Sequence, residues 1–153
     1  MIVEVDDSSI YLAARVHSAS WKASHISFCS PAFVEAHTPE RQKEYLQGRI
    51  DAGGRIYMLM EDGPAGIVSV TGNTIGDLYV LPDRQNRGYG TRLLEYAIDR
   101  CEGTPTLWIL ENNKGAERLY RRRGFTETGR IKASPSGLDQ IEFELKRKGD
   151  VSL

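Results

Sequence analysis

Disulfide chemistry is all but absent from this chain. Two cysteines, Cys29 and Cys101, stand among 153 residues, too few for a disulfide framework, and both read as reduced thiols in a cytoplasmic protein. Histidine is as sparse: His17, His25 and His37 show no ligand spacing, so no metal site is expected. No stretch approaches the roughly 18 consecutive apolar residues of a membrane span. The acidic opening MIVEVDD has neither the basic nor the apolar region of a signal peptide, and no membrane association is expected. Neither sign of charge prevails. Against 20 Lys and Arg stand 21 Asp and Glu, a formal charge of -1, which removes any electrostatic case for binding nucleic acid or an anionic membrane. Repeats, low-complexity tracts and a domain boundary are missing too. What is present, 40% hydrophobic and 27% charged residues, suits one soluble globular domain over 1–153 with room for a core.

The periodicities supply the elements. Ile2 to Val5 alternates as a short strand, and Asp7 or Ser8 can cap a helix carrying Ile10, Tyr11, Ala14, Ala19 and Trp21. Ser24 to Pro31 has no period and reads as a loop. Thr38-Pro39-Glu40 starts a helix, with proline where its missing N–H costs nothing, running through Tyr45, Leu46 and Ile50 to Gly53-Gly54. Ile56–Met60 and Gly66–Val70 form strands joined by the hairpin turn Glu61-Asp62-Gly63-Pro64. Gly72-Asn73 turns the chain into a central strand over about Thr74–Leu81. A helix after Gly88, a strand Thr106–Leu110, a helix after Asn113 and a strand from Phe125 follow. The last strand alternates Ile141, Phe143 and Leu145 on one face, and Asp150–Leu153 reads as a frayed tail. The expected class is α/β (α+β), a mixed and mostly antiparallel sheet of six to seven strands with helices on both faces.

The stretch from Leu78 to Thr91 organises the rest. A β-branched and aromatic strand is stopped by Pro82, which has no N–H for a ladder. Then come Gln85-Asn86-Arg87-Gly88-Tyr89-Gly90-Thr91 and the helical pattern Leu93, Leu94, Ala97, Ile98, Cys101. Strand, glycine turn and helix start make an anion site, because the first helical N–H groups lack partners and carry the positive end of the dipole. The third position of a dinucleotide fingerprint is Leu93 and no P-loop lysine follows, so those phosphate ligands are disfavoured. The turn resembles the Gln/Arg-x-x-Gly-x-Gly/Ala turn of the GNAT superfamily of N-acetyltransferases. A second block, the strand from Leu107 followed by Asn113-x-x-Ala116-x-x-Leu119-Tyr120 and then Gly124-Phe125, is similar to that family's second motif. The resemblance is specific from about Leu78 to Phe125.

The resemblance implies the GNAT fold and an acetyl-CoA cosubstrate. Backbone N–H groups from about Arg87 to Thr91 would grip the pyrophosphate, so Gln85, Arg87, Gly88, Tyr89, Gly90 and Thr91 form the expected cofactor turn. Leu78 and Val80 would offer backbone groups, Leu78 N–H to the acetyl oxygen and Val80 to the pantetheine amides, with Tyr79 pointing to the opposite face. Asn113 occupies an N-cap position and would also meet the cofactor arm. Tyr120 would donate to the leaving sulfur. A phenol with a pKa of about 10 facing a thiolate of about 8.5 is a hydrogen-bond donor rather than a strong acid. The family's base positions hold Thr74 and Trp108 here, and the nearby carboxylates Asp77 and Glu111 match neither, so proton removal is left to water or to an amine that arrives neutral. Arg118, Arg121, Arg122 and Arg123 read as a solvated helix face complementing the dipole. Trp21, the 24–31 loop and Lys132 to Gly137 would border the acceptor.

The function expected on these grounds is acetyl transfer to a primary amine by direct attack in a ternary complex, with a small molecule slightly favoured over a protein amine. The alternative is a non-catalytic acyl-CoA-binding sensor or interaction module of the same fold. A homodimer is expected over a monomer, because many proteins of this fold pair.

Overall fold

The computed structural model describes residues 1–146; the tail expected at Asp150–Leu153 lies outside them. Seven strands form one sheet in the order β1-β2-β3-β4-β5-β7-β6, where β1 is Ile2–Glu4, β2 Arg55–Met60, β3 Pro64–Thr71, β4 Thr74–Val80, β5 Thr106–Leu110, β6 Thr126–Ala133 and β7 Asp139–Glu144. Every neighbouring pair is antiparallel except β4 and β5. The helices are α1 Ile10–His25, α2 Pro31–Glu35, α3 Pro39–Asp51, α4 Tyr89–Arg100 and α5 Lys114–Arg123.

Two cores sit on opposite faces of the sheet. One packs α4 and α5 through Leu93, Leu94, Ala97, Ile98 and Tyr120 against Val68, Val70, Ile75, Leu107 and Phe143. The other packs α1 and α3 through Ile10, Ala13, Ala14, Val16 and Leu46 against Ile56, Met58 and Ile67. Strand β2 splits between them by its period of two, with Tyr57 and Leu59 on the first face and Ile56 and Met58 on the second. Strands buried on both faces have no polar side, which is why the apolar runs in β2 and β3 are nearly unbroken.

Local chemistry sets the element ends. Thr38 Oγ1 accepts from Arg41 N–H at 3.2 Å with Pro39 at the first position of α3, as its sequence implies. Helix α1 begins later than expected, with Ser9 at its N-cap, because Asp6 Oδ1 holds Ser8 N–H at 2.9 Å and Asp6 O receives Ile10 N–H at 2.9 Å in a turn of their own. The same helix runs on to His25, and Ser30 caps the short α2 through Phe33 N–H at 3.2 Å; the expected loop shrinks to 26–30. Helix α5 ends where Gly124 takes φ 110, and Phe125 N–H reaches back to Tyr120 O at 2.9 Å. That closure satisfies the last carbonyls and turns Phe125 inward, 1% exposed. The Gly-Phe pair is thus a helix stop with a hydrophobic anchor. Strand β6 starts at Thr126 rather than Phe125 for the same reason, and Leu145 lies buried just beyond the end of β7.

The arginines of α5 are exposed, three of them in the last turn as expected, and two also form ion pairs. Arg121 pairs with Glu117 at 2.9 Å and Glu127 at 3.0 Å and lies over Phe143, and Arg123 pairs with Glu95 of α4. These exposed pairs tie the helix to its neighbours at a modest gain for each.

Candidate active site

Strands β4 and β5 begin side by side, Thr74 with Thr106 and Ile75 with Leu107, and their pairing ends there. Beyond Ile75 they diverge around a cavity of about 630 Å³ whose lining includes Leu78, Leu110, Asn113 and Tyr120. The divergence coincides with a bulge. Ser69 pairs with Gly76 and Ile67 with Tyr79, so β4 takes three steps where β3 takes two. In a regular strand Ile75 and Leu78 would face opposite ways, yet Ile75, Leu78 and Val80 all pack on the α4 and α5 side while Tyr79 and Leu81 pack on the other. Tyr79 therefore points away from Leu78, as expected.

Leu81 N–H donates to Ala65 O of β3 at 2.9 Å. By the two-residue alternation of an antiparallel pair, the backbone groups of Leu78 and Val80 are turned from β3 toward the gap. One carbonyl there is engaged: Gln85 Nε2 donates to Val80 O at 3.3 Å, so the Gln85 side chain braces the end of the strand.

The glycine turn lies at the gap's other end. Gly88 has φ 79 and is the left-handed N-cap of α4. A Cβ there would meet nothing within 4 Å, so the residue is demanded by its dihedral and leaves open space before the helix. The first helical bond runs from Arg92 N–H to Gly88 O at 3.1 Å, which leaves the N–H groups of Tyr89, Gly90 and Thr91 at the positive end of the dipole. Arg87 Nη2 reaches back to Asp83 O at 3.4 Å. Arg84 donates to Asp62 O at 2.7 Å, fastening the turn after Pro82 to the β2–β3 hairpin.

Asn113 Oδ1 accepts Ala116 N–H at 3.1 Å, so its oxygen is the N-cap of α5 and its amide nitrogen stays available to the cavity. Tyr120 is 6% exposed. Among the described residues its hydroxyl has no hydrogen-bond partner, and burial pushes the phenol above its ordinary value. It is a proton-bearing donor aimed at no protein acceptor.

Opposite stand side chains from α1, α3 and the β6–β7 loop. Trp21 is stacked between His25 at 3.9 Å and His37 at 3.5 Å, with Phe33 edge-on. Burial, against the opposing hydrogen bonds to Trp21 O and Phe33 O, holds both imidazoles below their usual range, with Arg41 and Lys22 adding to the effect at His37. On the facing wall Trp108 carries Lys132 Nζ 4.2 Å above its ring. Trp21 and Lys132 border the cavity, together with Ser134, Pro135 and Ser136, but of the segment 24–31 only Ser24 and His25 do. Thr74 Oγ1 lies 3.4 Å from Thr106 Oγ1, and neither Thr74 nor Trp108 offers a base.

The main feature that sequence reasoning missed is centred on Asp77. It is the one carboxylate among the described residues lining the cavity, whereas Glu111 sits outside, in the turn after β5. Oδ1 accepts from Tyr45 Oη at 2.9 Å and faces His17 Nε2 at 3.3 Å. Oδ2 accepts from Ser69 Oγ at 2.9 Å and lies 3.5 Å from Arg49 Nε. Burial opposes ionisation, but His17, Arg49 and the Ser69 hydroxyl outweigh it and hold the carboxyl below its usual range. The same packing, with Asp77 alongside, pushes the Tyr45 phenol up to about 12. Partners 60 and 32 residues away in sequence leave no local signal. The one clue is His17 itself, a polar residue on the stripe of α1 that buries Ala13 and Ala14.

A sheet opened between parallel neighbours, with a glycine turn at one end of the gap, defines a class that comparison identifies. The profile of the "Acetyltransferase (GNAT) family" matches residues 22–125, and the chain belongs to that family. Among curated proteins it is 32% identical over 77 residues to the peptidyl-lysine N-acetyltransferase YjaB of Salmonella typhimurium, covering 50% of this chain and 52% of that one. It is 43% identical over 58 residues to the [Ribosomal protein bS18]-alanine N-acetyltransferase of the same organism, covering 35% and 39%. The chain spans about half or less of the length of these relatives. Among solved structures, yncA from Salmonella typhimurium, a putative acetyltransferase with its cofactor acetyl-CoA, superposes with TM-score 0.71 at 17% identity over 100% of this chain and 96% of that one. At that identity the likeness is one of fold.

Proposed function

We propose that this chain is an acetyl-CoA-dependent N-acetyltransferase that acetylates a primary amine by direct attack in a ternary complex. The observation that carries the reading is the gap between β4 and β5, with the Gly88 turn at one end and the unpartnered Tyr120 hydroxyl in its wall. In this reading the free N–H groups before α4 hold the pyrophosphate, and the Leu78 and Val80 backbone holds the arm and the thioester oxygen. The amine lone pair attacks the carbonyl carbon, and charge gathers on oxygen opposite Leu78 N–H. The C–S bond then breaks with its electron pair going to sulfur, which accepts a hydrogen bond from Tyr120. The amine proton leaves through water. Acetyl-CoA in the yncA complex supports the choice of cosubstrate.

A small-molecule amine is the acceptor proposed, since the cavity is walled by side chains from α1, α3 and the β6–β7 loop. A protein amine is the rival within this reading, and both curated relatives act on one by name. A count of two cysteines, too few for a disulfide framework, supports a cytoplasmic setting. The alternative of a non-catalytic acyl-CoA-binding module draws on the absence of a carboxylate at Thr74 and Trp108. Thiol release from acetyl-CoA against a panel of small amines and lysine- or alanine-terminated peptides separates them. Turnover with any acceptor supports the enzyme, whereas tight binding without turnover supports the module.

A further inference from the structure

The bulge of β4 costs energy at one residue. Asp77 has φ 49, and the other two non-glycine residues with positive φ among the described residues, Asp62 and Asn86, lie outside the strands. A left-handed conformation is disfavoured for a residue with a Cβ and persists only where its surroundings hold it. The surroundings here are side chains. His17 comes from α1, Tyr45 and Arg49 from α3, and Ser69 from β3, and all four meet the Asp77 carboxylate within 3.5 Å. A carboxylate has about four acceptor sites, so this one has little capacity left for a substrate proton. The residue that follows is Leu78, which lines the cavity.

We propose that Asp77 is a positioning residue: its carboxylate ties α1, α3 and β3 to the bulge and so aims the Leu78 N–H at the place where the thioester oxygen binds. The assignment rests on the acetyltransferase reading above. Asp77 touches no reacting atom. It acts through Leu78, because a hydrogen-bond donor to a developing oxyanion works only when it is held in place before the charge forms.

Two variants in the full chain test this. Asp77→Gly accepts the positive φ while deleting the anchor, and Asp77→Asn keeps the shape while deleting the charge. Both are expected to lower kcat by about 10- to 1,000-fold, the range for losing one oxyanion donor, with KM for acetyl-CoA changed by less than about threefold because the pyrophosphate site is untouched. The alkaline limb of the rate should still follow the pKa of the acceptor. The backbone amide resonance of Leu78 should respond to acetyl-CoA in the parent and lose that response in Asp77→Gly. Asp77→Gly at the parent's kcat overturns the proposal. So does an alkaline limb that is fixed in the parent and vanishes in Asp77→Asn, which would make Asp77 the proton acceptor. If neither variant folds, Ser69→Ala and Tyr45→Phe, which each remove one anchor, must lower kcat in smaller measure, and parental rates in both overturn it. A parent that binds no acetyl-CoA defeats the functional reading and this proposal together; a parent that turns over beside an unaffected Asp77→Gly defeats this proposal alone.

Discussion

Tyr120→Phe removes one oxygen from a ring already packed against Phe125 at 5.8 Å between centroids. The packing survives, and no protein hydrogen bond is lost among the described residues. Stability should change little, while kcat falls about ten- to thousand-fold, as expected for a positioned donor. Stopped-time assays beside a thermal melt check both halves, and full activity in Tyr120→Phe would remove the leaving-group role. Burial raises this phenol, so it stays protonated through the neutral range and contributes no alkaline limb there. Tyr120 was legible in the sequence because a helix-spaced Ala116 and Tyr120 stood inside a recognisable motif. Asp77 was not. Its meaning depends on His17, Tyr45, Arg49 and Ser69, which only folding brings together, and a lone acid on a strand gives no hint of them.

Elements with local chemistry were the most legible. The Thr38-Pro39 start and the Gly88 turn each follow from dihedral or capping demands that neighbouring residues display, whereas Gly124-Phe125, read as the start of a strand, is the helix stop. The extension of α1 and the short α2 were not legible, because the Trp21 stack that fixes this region pairs residues from two segments, His25 and His37. Gly88→Val forces a β-branched residue to φ 79, at a cost of about 1–3 kcal/mol. The fold should survive a melt with a lower midpoint, and acetyl-CoA binding by calorimetry should be lost; parental affinity would place the pyrophosphate elsewhere. The stack makes a pH prediction. His25 and His37 have folded pKa values below their unfolded value of about 6.5, so the unfolded chain takes up protons first. Their stabilising contribution is present above that value and lost as pH falls through the folded values. The melting midpoint should drop as pH falls below about 6.5, and His25→Phe, which keeps a ring beside Trp21, should flatten part of that drop.

For the whole molecule, part of the sheet order followed from simple rules: β2, β3 and β4 pair as consecutive hairpin neighbours, and the helical crossover through α4 makes β4 and β5 parallel. The interleaving of β7 between β5 and β6 has no local cause, since it depends on which edge the last strands reach. The open edges are β1, of 3 residues, and β6, of 8 residues with Ile131 62% exposed. We expect a homodimer in solution; light scattering at micromolar concentration should report twice the chain mass, and a particle of 17.1 kDa would count against it. The placement of the two tryptophans has an optical consequence. The chain holds only Trp21 and Trp108, and both line the cavity, one between two imidazoles and the other beneath an ammonium. Its tryptophan emission, excited beyond the tyrosine band, therefore originates wholly at the cavity, and an unlabelled sample carries its own reporter for whatever enters there.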